Sequence, residues 1–330
     1  MGFSVGIGLT NDCNLNCAHC YRDTQNISFL SLDQVKKVCD SIPVDAMGMG
    51  TGENILNPEF VEIASYLSNI GVKLSIASNG HSLTNAPEHI LKMFSDVELS
   101  IDFPTETEQN ALRGPGNWTL VHEAIERSRN LGIEVSILTT LMCTNFDKMD
   151  RMVALARSNG CNLRVNAYQA VKTDAFRLSY DQFWEGYRGL FSAGMVVACS
   201  EPVVRAAMGL ADVQSPCGRQ SIRINPRGQI IPCVYWPVDG RDGLVIEDLA
   251  RLGKQVLEES AFQDAQLDPP FASDCACQGG CASRRALNHK LDAHDEYCPW
   301  EKGDTINLEW NPAPAKNLMR TGNVCTTVVI

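Results

Sequence analysis

No apolar run in the chain approaches the length needed to cross a bilayer, and the N-terminal segment lacks the basic region, apolar core and small-residue site of a secretory signal. A membrane partner is not expected. A block of lysine and arginine is also missing, and the formal net charge is −11. Affinity for DNA or RNA comes mainly from cationic contacts to phosphate, so nucleic acid is excluded as an expected partner. There is no low-complexity tract and no internal repeat, which leaves the composition of an ordinary globular protein. Its 330 residues have room for one large α/β domain with a smaller module, or one continuous domain. Cysteine is the residue in excess, at 14. Without an export signal and with several short spacings, these thiols suit metal or cluster binding better than disulfides, and a reducing cytoplasmic compartment is expected.

The first half alternates short apolar runs with amphipathic stretches, the pattern of parallel βαβ units. Strands are predicted at Phe3–Thr10, Asp45–Gly50, Val72–Ala77, Val97–Asp102, Ile133–Leu141 and Asn162–Ala167. Ser31-Leu-Asp-Gln34 is a capping box that opens the first helix, the next begins near Pro58, and others are expected at Trp118–Leu131 and Phe146–Asn159. Six such α/β units predict a partial (β/α)6 TIM-like barrel, open where the eightfold barrel closes. Two further helices, near Tyr180–Phe191 and Pro202–Leu210, lead to a Cys-rich region from Cys217 to Cys298. Past Trp300, Pro312 and Pro314 mark an irregular segment, with an edge strand expected at Val324–Ile330. The expected division is 1–178 for the barrel, 179–216 for a helical linker, 217–300 for the Cys-rich domain and 301–330 for a C-terminal wrap.

Cys13, Cys17 and Cys20 fall within eight residues, just past the end of the first strand. Three thiolates can clamp three corners of a 4Fe–4S cube, which ordinarily takes four, and one iron is then left for a non-protein ligand. Three thiolates and an imidazole also make a structural zinc set, but His19, between two of the cysteines, is poorly placed to join them on one ion. The spacing Cys-x3-Cys-x2-Cys resembles the signature of the radical S-adenosylmethionine superfamily. The resemblance implies a 4Fe–4S cluster whose open iron is chelated by S-adenosylmethionine. It also implies a one-electron donor such as flavodoxin or ferredoxin.

Other stretches follow in the order that superfamily shows. Gly50-Thr51-Gly52-Glu53-Asn54 stands where relatives carry Gly-Gly-Glu-Pro, which implies that Gly52 and Glu53 receive the cofactor's ammonium group; Thr51 and Asn54 depart from that motif. A plain helix-entry turn would look similar. Ser78 and Asn79 after the third strand, and Ser100 and Asp102 on the fourth, resemble strand ends that bind ribose and carboxylate, though each also suits a turn or cap. Arg113 suits a bidentate carboxylate contact or a surface ion pair. His19 is included with the cofactor residues, while Asn145 and Asn166 are weaker candidates.

Cys217 and Cys233 flank Asn225-Pro-Arg-Gly228, a hairpin turn that brings its ends together. Cys275, Cys277, Cys281 and Cys298 follow. The array resembles the SPASM/Twitch domain, with one cysteine fewer than its full pattern, and so implies one or two auxiliary 4Fe–4S clusters; a zinc ribbon is the other reading. By position, Cys217, Cys233 and Cys281 would serve the inner cluster, with Cys199 a candidate fourth ligand or a small buried hydrophobe. Cys275, Cys277 and Cys298 would serve the outer one, one ligand short. Cys39, Cys143 and Cys161 are expected in the core and Cys325 as an incidental thiol.

The resemblance implies hydrogen abstraction followed by oxidative modification of a peptide or protein: crosslinking, dehydrogenation or epimerisation. Dehydrogenation or epimerisation of a small molecule, such as a sugar, aminoglycoside or porphyrin, is the alternative, and a non-enzymatic iron–sulfur redox sensor a remote one. Val234 after Cys233, where the sulfatase-maturing branch has Asp, argues against that activity. The start of the chain close to the first strand leaves no expected room for a peptide-recognition domain ahead of it. Tyr235, Trp236 and Arg241 either face the cavity or pack on the hairpin.

Overall fold

Phe3, Val5, Ile7 and Leu9 are buried, and so are Gly6 and Gly8 between them, as expected of a parallel strand covered on both faces. This is β1 (Phe3–Gly8) of a computed structural model that describes residues 2–210, 217–219, 221–238, 243–266, 275–314 and 325–330. Next come α1 (Leu32–Ser41), β2 (Val44–Gly50), α2 (Phe60–Asn69), β3 (Lys73–Ser78), the short α3 (His81–Asn85) and α4 (Glu88–Leu91), and β4 (Phe94–Ser100). The barrel continues with α5 (Glu106–Arg113), α6 (Asn117–Asn130), β5 (Glu134–Leu141), α7 (Met149–Ser158) and β6 (Asn162–Ala167). All neighbours from β1 to β6 pair in parallel, giving the partial (β/α)6 barrel. The capping box is present: Ser31 Oγ accepts from the Gln34 N–H at 3.2 Å, and Gln34 Oε1 accepts from the Ser31 N–H at 3.0 Å.

The second half returns to the same sheet. It comprises α8 (Tyr180–Ala193), β7 (Val196–Cys199), α9 (Pro202–Ala207), β8 (Ser221–Ile224), β9 (Ile230–Ile231), α10 (Ile246–Leu252), α11 (Ser260–Gln266), α12 (Ala282–Leu287) and β10 (Thr326–Val329). The strand order is β7-β10-β6-β5-β4-β3-β2-β1-β8-β9. Two expectations are corrected here. The segment after Leu178 is not helical throughout, because β7 is a strand of the main sheet. The strand predicted at 324–330 is not an edge: β10 runs antiparallel between β6 and β7. Its residues are fully apolar or β-branched and all buried, which an interior strand requires. Among the described residues, no helix is long and apolar enough to cross a membrane.

Charge inside the fold is paired. Arg164 on β6 reaches Asp96 on β4 at 2.6 Å and Ser136 on β5 at 3.0 Å. Burial pushes the Asp96 carboxyl up to about 7, with Arg164 pulling the other way. Arg284 on α12 lies between Glu201, at 3.1 Å from its Nη1, and Asp295, at 2.7 Å, all three almost wholly buried. The Arg284 guanidinium also covers the Tyr297 ring at 5.1 Å, and Tyr297 stacks on Phe183 of α8 with centroids 4.0 Å apart. These contacts fasten the Cys-rich segment to α8 and to the start of α9. Arg284→Met leaves two buried carboxylates facing each other, and breaking such a pair costs about 3–5 kcal/mol. A marked fall in thermal midpoint is expected; a midpoint within a degree of the parent would show that this triad does not hold the segment.

Candidate functional site

The loop carrying Cys13, Cys17 and Cys20 is tied at its neck by amide side chains. Asn11 Nδ2 donates to the carbonyls of Asp23 (2.9 Å) and Asn26 (2.8 Å), while its Oδ1 accepts from the Ser28 N–H at 2.7 Å. Asn57 bridges the carbonyls of Leu9 and Leu30 at 2.8 Å each. Arg22 donates into the loop, to the carbonyls of Asn11 and Leu15. The three thiols are unpaired by disulfides and face one cavity of about 440 Å³ at the C-terminal ends of the strands. Burial pushes the Cys13 thiol up to about 11 and raises Cys17 as well, with Arg113 opposing at Cys17. Thiols placed like this give up their protons to a bound metal more readily than to solvent.

The turn after β2 meets this loop at close range. Thr51 and Gly52 have φ of +66° and +68°. A Cβ on Gly52 would lie 2.3 Å from the Asp12 carbonyl oxygen and 2.6 Å from that of Thr10, so glycine is needed for the approach. Thr51 has a Cβ and is strained, by about 1–2 kcal/mol for a left-handed non-glycine residue. Tyr21 Oη holds its Oγ1 at 2.9 Å.

Glu53 lines the cavity, and its carboxylate is at the same time heavily hydrogen-bonded. Its carboxylate accepts from the Asn79 N–H (2.5 Å), Ser78 Oγ (2.8 Å), and the Ser82 N–H and Oγ (2.9 and 2.5 Å). It therefore clamps the loop after β3 together with Ser78, which also lines the cavity. Asn79 reaches the cysteine loop directly, donating to Asn14 Oδ1 at 2.9 Å with Cys13 Sγ at 3.5 Å. Ser100 lines the cavity at the end of β4. Asp102, wholly buried, receives Arg113 Nε at 2.7 Å and the Thr140 N–H at 2.9 Å, with His19 Nε2 at 3.6 Å. Burial alone would raise the Asp102 carboxyl, but Arg113 and His19 outweigh it and hold it below the usual range. Arg113 lines the cavity, oriented from behind by Asp102. Asn166 also lines it. Asn145 does not: its amide braces Thr140, Met142 and Asp102 backbone.

A second group of thiols lies beside the first. Tyr21 meets Tyr235 edge-on with centroids 5.2 Å apart, and both rings line the cavity with Trp236 and Arg223. Arg241 lies outside the described residues. Burial pushes the thiol of Cys233, which ends the hairpin, up to about 12, and the nearby Cys217 and Cys281 add to the rise. Cys325 is hydrogen-bonded to the thiols of Cys217 and Cys281. Cys325, expected as an incidental thiol, thus has thiol neighbours, while Cys199 is buried, as the small-hydrophobe reading has it, with its Sγ 3.3 Å from Thr327 Oγ1 on the adjacent strand. Cys161 is buried as expected, whereas Cys39 and Cys143 are half-buried.

A third group converges separately. Cys277 Sγ lies 3.3 Å from Cys275 Sγ and 3.6 Å from Cys298 Sγ, and all three are buried. The hydrogen bond from Cys277 pulls the Cys298 thiol down to about 6 against its burial, with His294 and the Glu301 and Trp300 backbone adding to the effect. Gln278, Gly279 and Gly280 are consecutive left-handed residues that turn the chain between Cys277 and Cys281. A Cβ on Gly280 would lie 2.4 Å from Asp295 Cβ.

Residues 7–156 match the family model described as Radical SAM superfamily. The chain carries a radical S-adenosylmethionine domain. Mycofactocin maturase MftC of Mycolicibacterium smegmatis is 27% identical over 332 residues, covering 88% of this chain and 81% of its own. The Bacillus subtilis antilisterial bacteriocin subtilosin biosynthesis protein AlbA is 23% identical over 328 residues, covering 90% and 71%. Streptococcus suis SuiB bound to precursor peptide SuiA superposes with a TM-score of 0.68 at 13% identity, covering 90% of this chain and 75% of that one, a match of fold. The match over residues 7–156 and the maturase relatives indicate an enzyme, and the cofactors that a radical S-adenosylmethionine domain uses are a 4Fe–4S cluster and S-adenosylmethionine. The residues present fit them: three free thiols on one cavity, a glycine cradle that a Cβ would fill, and a cavity-facing arginine.

Gly52→Ala is expected to destabilise the cofactor-free protein by more than about 2 kcal/mol, through forced backbone displacement and a strained φ. Gly50→Ala, with nothing within 4 Å of its new Cβ and an ordinary φ, is expected to be neutral or slightly stabilising. Thermal unfolding of the two variants side by side checks this, and equal midpoints would refute it.

Proposed function

We propose that this enzyme oxidatively modifies a peptide or protein, by crosslinking, dehydrogenation or epimerisation, and that its natural setting is the maturation of a peptide-derived product. The observation that carries the reading is the Tyr21–Tyr235 contact, which joins the loop of Cys13, Cys17 and Cys20 to the segment that follows Cys233, both rings lining the cavity that the first three thiols face. Such an arrangement gives a hydrogen-abstraction site an adjacent electron acceptor. The names of MftC and AlbA, and the peptide in the SuiB complex, support a peptide substrate. In this reading residues 1–178 form the barrel and 217–300 the auxiliary-cluster domain, while an external flavodoxin or ferredoxin supplies the first electron.

Cys13, Cys17 and Cys20 would hold one cluster. When bound, that cluster and S-adenosylmethionine would supply the one-electron chemistry for hydrogen abstraction from the substrate, with the electron provided by the external donor. The chain's own part is placement. Arg113, fixed by Asp102, would receive the cofactor carboxylate. Gly52 and Glu53 would receive the ammonium group, with the loop after β3 held in place by the Glu53 carboxylate. Asn79 fixes the Cys13 side of the loop. Tyr21, Tyr235 and Trp236 wall the cavity and exclude water from the reacting atoms. Cys275, Cys277 and Cys298 would hold a further centre.

Anaerobically reconstituted enzyme with dithionite is expected to form 5′-deoxyadenosine, and Cys17→Ala to abolish it. Arg113→Ala should raise the KM for S-adenosylmethionine about 10–100-fold while keeping the iron content, since a lost charge-assisted bidentate contact is worth about 1.5–3 kcal/mol. No 5′-deoxyadenosine under several reductants would overturn the catalytic reading. Turnover of a small molecule, with no mass change in any precursor peptide encoded alongside, would overturn the peptide reading.

A further inference from the structure

β8 and β10 are far apart in the sheet, with the six strands from β6 to β1 between them. Yet Cys325, the residue before β10, is hydrogen-bonded to Cys217, which precedes β8, and to Cys281, which precedes α12. Contact between the two ends of one sheet means that the sheet curls until they meet. The thiols sit on that seam. Cys217, Cys233 and Cys281 are buried, and Cys325 is half-buried. None of the four is in a disulfide. Cys199, the other thiol available nearby, is turned to Thr327.

We propose that Cys325 is the fourth protein ligand of an auxiliary 4Fe–4S cluster held by Cys217, Cys233 and Cys281, and that this cluster staples the two ends of the curled sheet together. Four thiolates converging from a hairpin, a helix start and a strand end satisfy a complete cube with no open iron, which suits electron transfer and leaves substrate chemistry to the open centre. Arg223 on β8 supports the assignment. It is buried, and it faces the Cys217, Cys233 and Cys325 thiols and Tyr21. A fixed cation there offsets the negative charge of a tetrathiolate cluster and stabilises its reduced form. The four ligands would join the barrel, the hairpin, α12 and the C-terminal strand at one point, so losing the cluster should loosen β10.

The inference rests on the reading of an auxiliary cluster near the barrel, and the test separates the two. The full chain with Cys13, Cys17 and Cys20 all changed to Ala is reconstituted anaerobically, so that only the auxiliary sites load, and iron, sulfide and the Mössbauer spectrum are measured. Cys325→Ser changes one atom and keeps the packing; Cys217→Ser is the ligand reference and Cys199→Ser the buried-thiol reference. Cys325→Ser and Cys217→Ser are each expected either to shift the spectrum of the same cluster or to lower the iron by about four atoms per chain. Cys199→Ser should do neither. Added 2-mercaptoethanol should restore the parent spectrum to Cys325→Ala, which a packing role would not allow. If Cys325→Ser leaves iron and spectrum unchanged while Cys217→Ser alters them, Cys325 is a packing residue, and the proposal falls with the auxiliary cluster intact. If the parent takes up no iron at these sites, the auxiliary reading falls instead.

Discussion

β1 is hydrogen-bonded on both edges by parallel neighbours, β2 on one side and β8 on the other, and its sequence makes this double pairing workable. Val5, Ile7 and Leu9 point into the core, while Gly6 and Gly8 alternate with them on the side that meets the hairpin. A Cβ on Gly6 would fall 1.8 Å from Arg223 Nη1, and one on Gly8 would be 2.9 Å from Pro226 Cδ. The absence of side chains at two positions therefore lets the hairpin lie against the strand that delivers the first cysteine loop. The strand that leads into the first cysteine loop and the strand that opens the hairpin are thus direct neighbours, at the usual spacing of about 4.8 Å.

Buried charge does a different job at each place. Asp102 holds Arg113 from behind, so the guanidinium faces the cavity without rotamer freedom. Asp96 and Arg164 close the interior of the barrel below the cavity floor. Glu201, Arg284 and Asp295 fasten the third thiol group to α8 and α9. Ion pairs of this kind add little net stability over apolar residues of the same shape, but they fix orientation and penalise any arrangement that separates them. Glu53 belongs with them: four donors on one carboxylate make it a brace for the loop that carries Asn79.

Much of this was legible in the chain. The six barrel strands follow from apolar runs at regular spacing, the capping box at Ser31 from its two side chains, and the hairpin from Asn225-Pro-Arg-Gly228. The three clustered cysteines and the turn at Gly52 also stand out in sequence, because short-range motifs carry their own geometry. What escaped depends on distant partners. β7 has four residues, too few for periodicity to register, and the strand expected at 324–330 shows its interior place only through its pairing with β6 and β7. Cys325 looks isolated because its neighbours are more than forty residues away along the chain. Glu53 reads as a ligand from its motif, and only the loop after β3 reveals the donors that occupy it. Tyr21 and Arg223 carry no motif at all.

β10 enters a slot between β6 and β7, and its contact with β6 joins Thr326 to Asn166 across 160 residues of chain. The entropy of closing so long a loop must be met before the contact repays it, so pairing at this separation follows the local βα units in time. The nascent barrel passes through a stage in which five adjacent strand pairs are made and the seam is still open. With Cys325 as a ligand, iron and sulfide would have to enter while the seam is open, and filling of that one cluster would coincide with the arrival of the last strand.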